Sequence, residues 1–349
     1  MYEYAFVIGR FQMFHRGHEW LLNEARKLGR ELVVLVGSAN APRSIKNPFT
    51  SDSRVRVLRS FDGLPKVIKL QDYPMHDHLW VAQVKDVIAS VTDGASHCIV
   101  GCDKDESTYY LSIFGDTPVV SLPHIEEFSV NGIDATNFRN AVFNGWGNME
   151  KIHAAFEKYG TSQMKLNAVL KTEMLEAFPP LIDEFRSIQK YKKSWDSAPF
   201  PPIFVTADNI VQHRDRFLVV VRKGHPARGL LAMPGGFIEH DERIRTSALR
   251  ELREETSLEV FNPKTGTKIP FQDEWFRATK YYDSPSRSLR GRTITHAFFW
   301  YIPDKYEVKI AAADDAADVV WIPLTELQNP ENATKFMEDH FHIIKDMIG

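Results

Sequence analysis

The sequence predicts an α/β protein of two domains, on three grounds. Its 349 residues, 43% hydrophobic and 26% charged, exceed one average domain and supply material for two cores. Over the first half, short apolar runs alternate with helical patterns, as in a parallel sheet wrapped by helices. After the Pro-rich stretch Ala198-Pro199-Phe200-Pro201-Pro202 the alternation gives way to strands grouped around one strongly charged helix, an α+β pattern.

The first half, taken in order, opens with an apolar strand at residues 4–8 and a helix carrying Trp20, Leu21, Leu22, Ala25 and Leu28. Leu32 to Val36 is apolar at every position, as in a strand covered on both faces. A loop at 37–50 leads to a helix at 51–61, a strand at 66–70, a helix at 77–91, a strand at 98–100, a short helix at 106–114 and a strand at 118–122. Helices starting at Asp134 and spanning 149–159 close a Rossmann-like domain. Ligands of such sheets gather at the carboxyl ends of the strands.

Candidate groups lie at those ends. In Gly9-Arg10-Phe11-Gln12-Met13-Phe14-His15-Arg16-Gly17-His18 a strand hands over to a helix whose unpaired N–H groups and dipole favour an anion. Gly17 lets a phosphate approach the backbone, and His15 and His18, three apart, face the same anion. Lys46 adds a positive charge in the 37–50 loop. Trp80 falls on the apolar face of its helix and reads on pattern alone as core. In Asp134-Ala135-Thr136-Asn137-Phe138-Arg139, Arg139 returns to the side of Thr136, where both meet a phosphate.

The His-x-Gly-His stretch with its Gly-Arg-Phe-Gln lead resembles the nucleotidylyltransferase superfamily, and within it the nicotinamide mononucleotide (NMN) adenylyltransferase branch. Thr136-x-x-Arg139 is similar to the second superfamily motif, with Asp134 where serine is common. Gly101 to Tyr110 resembles a Lys-Asp-x-Ser-x-Tyr-Tyr stretch of bacterial two-domain relatives. The resemblance makes His15, His18 and Arg139 catalytic and gives substrate contacts to Gly9, Arg10, Phe11, Gly17, Lys46, Trp80, Asp103 and Thr136, with tryptophan at position 80 stacking on nicotinamide. The implied reaction is attack of the NMN 5′-phosphate on the α-phosphorus of ATP, giving NAD and pyrophosphate with Mg²⁺ on the triphosphate. No Lys-Met-Ser-Lys-Ser stretch accompanies the motif, which argues against the aminoacyl-tRNA synthetase relatives.

We divide the chain into a first domain at 1–160, a helical and Pro-rich connector at 161–199 and a second domain at 200–349. Strands are expected at 203–206, 217–222 and 293–301. Between them Gly236 is followed after five residues by Glu242, and after seven more by Arg250-Glu251-Leu252-Arg253-Glu254-Glu255-Thr256-Ser257-Leu258. On a helix Glu251, Glu254 and Glu255 converge on one face and repel one another until a hard divalent cation takes their oxygens. Arg250 orients a glutamate, and Glu242 supports the loop or a metal.

This spacing is the Nudix pattern G-x5-E-x7-R-E-U-x-E-E-x-G-U, with Ser257 in place of the last glycine. The resemblance implies an α/β/α sandwich in which Glu251, Glu254 and Glu255 hold metal, with Glu254 and Glu255 catalytic. Ser284 to His296 is similar to the Arg-Gly-Arg stretch of Nudix proteins that act on ADP-ribose, which offers Arg287, Arg290 and Arg292 as substrate contacts. Asp315 is a further candidate by likeness to an acidic family stretch.

Both motif sets in this order resemble the bifunctional NMN adenylyltransferase/Nudix hydrolases of bacteria and phages. The implied substrates and products are ATP, NMN, NAD and ADP-ribose, with Mg²⁺ or Mn²⁺ at both sites. Two other readings stay open. The second domain is then an ADP-ribose sensor that does not cut, or it cleaves another nucleoside diphosphate; alternatively the first domain takes another acceptor. A formal charge of −3 gives no electrostatic case for nucleic acid or anionic membrane. No apolar run approaches the ~20 residues of a membrane span, and Met1-Tyr2-Glu3-Tyr4 does not read as a signal peptide. Cys98 and Cys102, roughly 13 Å apart on an extended strand, are beyond disulfide reach and fit a cytoplasmic protein. A homo-oligomer is left open.

Overall fold

The computed structural model describes residues 1–102, 111–123, 125–313 and 316–349. The candidates Asp103 and Asp315, and most of the helix expected at 106–114, lie outside the described residues. The chain divides into two compact units, Met1–Ile182 and Asp183–Gly349.

The first unit runs β1 (Tyr2–Gly9), α1 (Arg16–Leu28), β2 (Gly29–Val36), α2 (Ser51–Arg59), β3 (Lys66–Lys69), α3 (Asp77–Thr92), β4 (His97–Cys102), β5 (Val119–Leu122), α4 (Glu126–Val130), α5 (Ala135–Gly145), α6 (Met149–Tyr159) and α7 (Met164–Ala177). Its five strands are parallel in the order β3-β2-β1-β4-β5. The chain starts at the centre, works outward to β3 and crosses back to β4, so the topological switch point lies between β1 and β4. Ala5 to Ile8 and Leu32 to Val36 are all buried, as continuous apolar runs require when both faces of a sheet are covered. Phe6, Ile8, Val33, Leu35, Val84, Ile88, Ile99 and Phe114 form the core on one face. Trp80 packs against it, its ring 5.8 Å from Phe114.

This unit extends past the expected end at residue 160. Arg56 on α2 holds the buried Glu173 of α7 through Nη2 at 2.8 Å and through Nε. Arg43 donates to Ala177 O at 2.5 Å and to Pro48 O at 3.1 Å. The helix expected within the connector is thus an anchor for the 37–50 loop.

Beyond it follow α8 (Ile182–Lys193), β6 (Ile203–His213), β7 (Arg216–Arg222), β8 (Leu231–Ala232), β9 (Gly235–Phe237), α9 (Ile244–Thr256), β10 (Glu259–Phe261), β11 (Lys268–Ile269), β12 (Phe276–Tyr282), β13 (Arg292–Ile302), β14 (Glu307–Lys309), β15 (Ala316–Pro323), α10 (Leu324–Gln328) and α11 (His340–Ile348). The boundary expected at residues 198–202 falls earlier, at 182/183. Glu184 of α8 accepts the Ala227 N–H at 2.8 Å, and Tyr191 and Trp195 pack on Phe204. The central sheet has the path β12-β13-β6-β7-β15, with β8 on β7 and β9 on β6; a small sheet pairs β11-β10-β14. β13 and β6 run parallel from Arg292 opposite Ile203 to Ile302 opposite His213, and the neighbouring pairs are antiparallel.

One difference from the expected elements has a physical cause. β6 continues to His213 through Asp208 and Asn209, which interrupt the apolar pattern because they are buried polar groups with partners. Residues 330–348 form a 3-10 turn at Pro330–Lys335 followed by α11. Between them Phe336 bridges to Leu231 and Glu338 takes a left-handed φ of 46°.

Two histidines of α11 are held neutral. Burial, with Arg287, Arg222 and Arg290 nearby, lowers His340, while burial and Lys345 lower His342 to about 4. Each accepts a proton more readily in the unfolded chain, so protonation favours unfolding. The destabilising contribution of His342 is expected to be absent above about pH 6.5 and to grow as pH falls from 6.5 to 4, opposite in sign to that of the raised Glu255. Thermal melts of wild type and His342→Gln across that range check this; a Tm difference that does not vary with pH contradicts it.

Candidate active sites

His15 is the N-cap of α1, with extended backbone angles, and its Nδ1 accepts the Gly17 N–H at 3.1 Å. His18 Nδ1 in turn accepts the His15 N–H at 3.3 Å, closing a reciprocal capping box. Because each Nδ1 is an acceptor, the neutral tautomer of both rings carries its proton on Nε2, the atom suited to donate to a phosphate oxygen. The ring centroids lie 3.8 Å apart, with Phe11 and Phe14 packed at 4.8 and 5.4 Å from His18. A Cβ on Gly17 would stand 2.9 Å from the His15 ring, so a side chain here would displace the imidazole.

Arg139 comes to the same turn from α5, donating to Gln12 O and, at 3.1 Å, to Thr136 Oγ1. Burial lowers it to about 10. Asp134 serves as the N-cap of α5, accepting the Asn137 N–H at 2.8 Å, which accounts for an acid where serine is common. Gln12 pairs with both backbone groups of Phe49 at 2.8 and 3.0 Å, drawing the Lys46 loop beside the histidine turn.

The residue most clearly missed by the sequence reading is Arg54. It is 2% exposed and donates to Arg10 O (2.9 Å), Gly37 O (2.6 Å) and Ser38 O (2.8 Å), tying the ends of β1 and β2 together. Asp72 completes this network by accepting the N–H and hydroxyl of Ser38, both at 3.1 Å, and faces the charges of Arg10 and Arg54. A signal existed: Arg54, Val57, Leu58 and Phe61 share one helical stripe, and an arginine on an apolar stripe needs buried acceptors.

In the second unit α9 presents the glutamates. Arg250 reaches Glu242 through Nε (3.0 and 3.2 Å), Glu251 and Glu254 through Nη1 (2.8 Å each) and Phe237 O at 3.3 Å. Glu255 accepts the Gly235 N–H at 2.9 Å. Burial, then the charges of Glu251 and Asp208, raises Glu255 to about 8. Burial also raises Glu251, against the pull of Arg250. Among the described residues no three His, Cys, Asp or Glu side chains form a ready metal cluster; Arg250 holds Glu251 and Glu254, and the Gly235 N–H holds Glu255. The donors still fit a hard divalent cation. They are carboxylate oxygens, and two of them bind protons more tightly because like charges are crowded into a buried place.

Asp208 and Asn209 of β6 support this helix. Asn209 donates to Ala248 O at 2.7 Å and Pro234 O at 3.2 Å and accepts the Trp300 indole N–H at 3.0 Å. Ser257 ends α9 with a left-handed φ of 43°, the conformation a glycine would adopt without strain. Gly236 lies so close that a Cβ there would meet the Glu251 carboxylate at 2.7 Å. Gly236→Ala is therefore expected to lower hydrolytic kcat by roughly tenfold or more by displacing one carboxylate, with steady-state kinetics as the check; an unaltered kcat refutes that role for the close approach.

The three arginines of the 284–292 loop are used differently. Arg287 is engaged by Asp339 through two hydrogen bonds of 3.0 and 2.8 Å from Nε and Nη2. Arg292 donates to Asp283 O. Arg290 lies 4.8 Å over the Phe237 ring, and its buried Nε has no hydrogen-bond partner. Arg222, not anticipated, closes β7 within charge range of Arg290, Glu255 and Glu338.

A Cytidylyltransferase-like family model matches residues 6–138, and a NUDIX domain model matches residues 203–347. The nicotinamide/nicotinic acid mononucleotide adenylyltransferase of Acinetobacter baylyi is 33% identical over 150 residues, 41% of this chain and 77% of that protein. The ADP-ribose pyrophosphatase of Methanocaldococcus jannaschii is 31% identical over 163 residues, 47% of this chain and 80% of that protein. A crystal structure of a bifunctional NMN adenylyltransferase/ADP ribose pyrophosphatase from Francisella tularensis, complexed with AMP and a Mn ion, superposes with a TM-score of 0.84 at 31% identity, covering 100% of this chain and 99% of that one. The chain belongs to this bifunctional family.

The bifunctional architecture assigns the parallel-sheet unit to the transferase class and the mixed-sheet unit to the Nudix class. Members of the Nudix class require a divalent metal, in keeping with the carboxylate set of α9. Among the described residues no helix is long and apolar enough to cross a membrane.

Proposed function

We propose that the first unit transfers the adenylyl group of ATP to NMN, giving NAD and pyrophosphate, and that the second hydrolyses ADP-ribose to AMP and ribose 5-phosphate. The transferase reading is supported above all by the two imidazoles whose Nδ1 atoms are occupied by backbone N–H groups. Their Nε2 protons are then fixed donors for phosphate oxygens. As NMN attacks, the bond from the α-phosphorus to pyrophosphate breaks and negative charge shifts onto oxygens that His15, His18 and Arg139 are already placed to meet. Arg10, Lys46 and Thr136 bind the phosphates, Gly9, Phe11 and Gly17 shape the turn, and Trp80 borders the nicotinamide.

In the second unit Glu251, Glu254 and Glu255 are the residues that hold Mg²⁺ or Mn²⁺, which supplies charge neutralisation at the diphosphate and activation of water. Gly235 fixes Glu255 through its N–H, Arg250 fixes Glu251 and Glu254, and Arg290 binds the diphosphate. Mg²⁺ also accompanies ATP in the first unit. Both reactions suit the cytoplasm, where Cys98 and Cys102 stay reduced.

Purified protein with Mg²⁺, given ATP plus NMN in one assay and ADP-ribose in another, tests both halves. NAD in the first and AMP in the second support the reading. ADP-ribose that binds and survives across several divalent metals overturns the hydrolase half.

A further inference from the structure

Residues 336–340, the four between the 3-10 turn and α11 and the first residue of α11, are bonded to two separate walls of the second unit. On one side Met337 N–H donates to Leu231 O at 2.8 Å, and His340 Nδ1 accepts the Met233 N–H at 3.0 Å. Those partners lead directly into Gly235 and Gly236, against which Glu255 and Glu251 lie. On the other side the Glu338 carboxylate accepts the Leu289 N–H at 2.9 Å, and Asp339 holds the Nε/Nη2 edge of Arg287 through both its oxygens. The Arg287 and Asp339 side chains are 4% and 11% exposed.

A helix start on the surface could be capped by water. Here its capping region is buried and its acids face the arginine loop. Arg287 is buried and paired with Asp339, and Arg290, three residues on, is the arginine of this loop whose buried Nε has no hydrogen-bond partner. Arg290 rests over Phe237, the neighbour of Gly236. A bidentate carboxylate fixes a guanidinium in direction as well as position, and in a buried place neither partner is replaced by solvent.

We propose that Asp339 is a positioning residue of the hydrolase site: acting through Arg287, it fixes the 284–291 loop so that Arg290 meets the substrate diphosphate. Asp339 itself touches no substrate. The inference rests on the reading of the second unit as an ADP-ribose hydrolase with Arg290 as a diphosphate contact.

The test uses the full chain with Mg²⁺ and ADP-ribose, comparing Asp339→Asn, Arg290→Ala, the double variant and Arg287→Lys. Asp339→Asn is expected to raise KM roughly tenfold to a hundredfold, the size of one hydrogen bond to a charged group, with kcat within about threefold. Arg290→Ala should shift KM the same way, and the double variant should be no worse than Arg290→Ala alone, because Asp339 acts only through that contact. Arg287→Lys, which keeps the charge and loses the fork, should also raise KM; it carries the test if Asp339→Asn does not fold. Additive losses in the double variant, or an unchanged KM in both Asp339→Asn and Arg287→Lys, overturn the proposal while the hydrolase reading stands. Wild-type protein that leaves ADP-ribose intact overturns both.

Discussion

A His18→Ala variant is expected to make NAD on the order of a thousandfold more slowly than wild type, the size of effect seen when a preorganised donor to a developing anion is lost. ADP-ribose hydrolysis by the same preparation should stay within about twofold, since no residue of α9 depends on the histidine turn. The effect falls at the upper end of the range for a single donor for a structural reason. His18 Nδ1 accepts the His15 N–H, so its loss also leaves the N-cap of α1 without its reciprocal partner and frees the neighbouring imidazole to rotate. The fall should appear in kcat, with KM for ATP changed far less, because the donors meet charge that exists only as the bond to pyrophosphate breaks. A variant that retains kcat and loses only affinity would remove His18 from the transfer step.

Glu255→Gln is expected to lower ADP-ribose hydrolysis by roughly a thousandfold, within the range for loss of a positioned acid or base. The amide oxygen can keep the Gly235 N–H bond, so the backbone of the loop before α9 has little reason to move. What changes is charge. Glu255 is buried beside Glu251 and Asp208, and its carboxyl is raised to about 8 by that setting. A divalent cation is the partner that makes so crowded an arrangement favourable, and a neutral amide binds it weakly. Titration with Mn²⁺ should show weaker binding in parallel with the lost rate, and NAD synthesis should be unaffected. Full hydrolysis by Glu255→Gln would place the catalytic carboxylates elsewhere.

The parts of both sites that could be read from the sequence are those whose geometry is local. A strand, a glycine-containing turn and two histidines three apart define the start of α1 without reference to the rest of the chain. The spacing of Glu251, Glu254 and Glu255 likewise fixes one helical face. The groups that escaped depend on partners far along the chain. Arg54 acts on carbonyls of Arg10 and Gly37, and Asp339 lies 52 positions from Arg287. No period or spacing reports such pairs. Asp208 and Asn209 were hidden differently: polar residues inside a strand read as its end, whereas their side chains are satisfied by Thr295, Ala248 and Trp300. The connector misled because its prolines mark a break in helix, and α7 belongs by its contacts to the unit before that break.

The clamp formed by residues 336–340 has a consequence for the order of biosynthesis. Every group it binds, from Leu231 to Leu289, leaves the ribosome before it does. The parallel-sheet unit is translated whole long before that moment, whereas a nascent chain halted near residue 330 carries the arginine loop without its Glu338 and Asp339 partners. Of the two catalysts sharing this polypeptide, the nucleotide-making one is built wholly from residues up to Ile182, whereas the nucleotide-cleaving one needs residues 338 and 339 before its arginine loop is pinned.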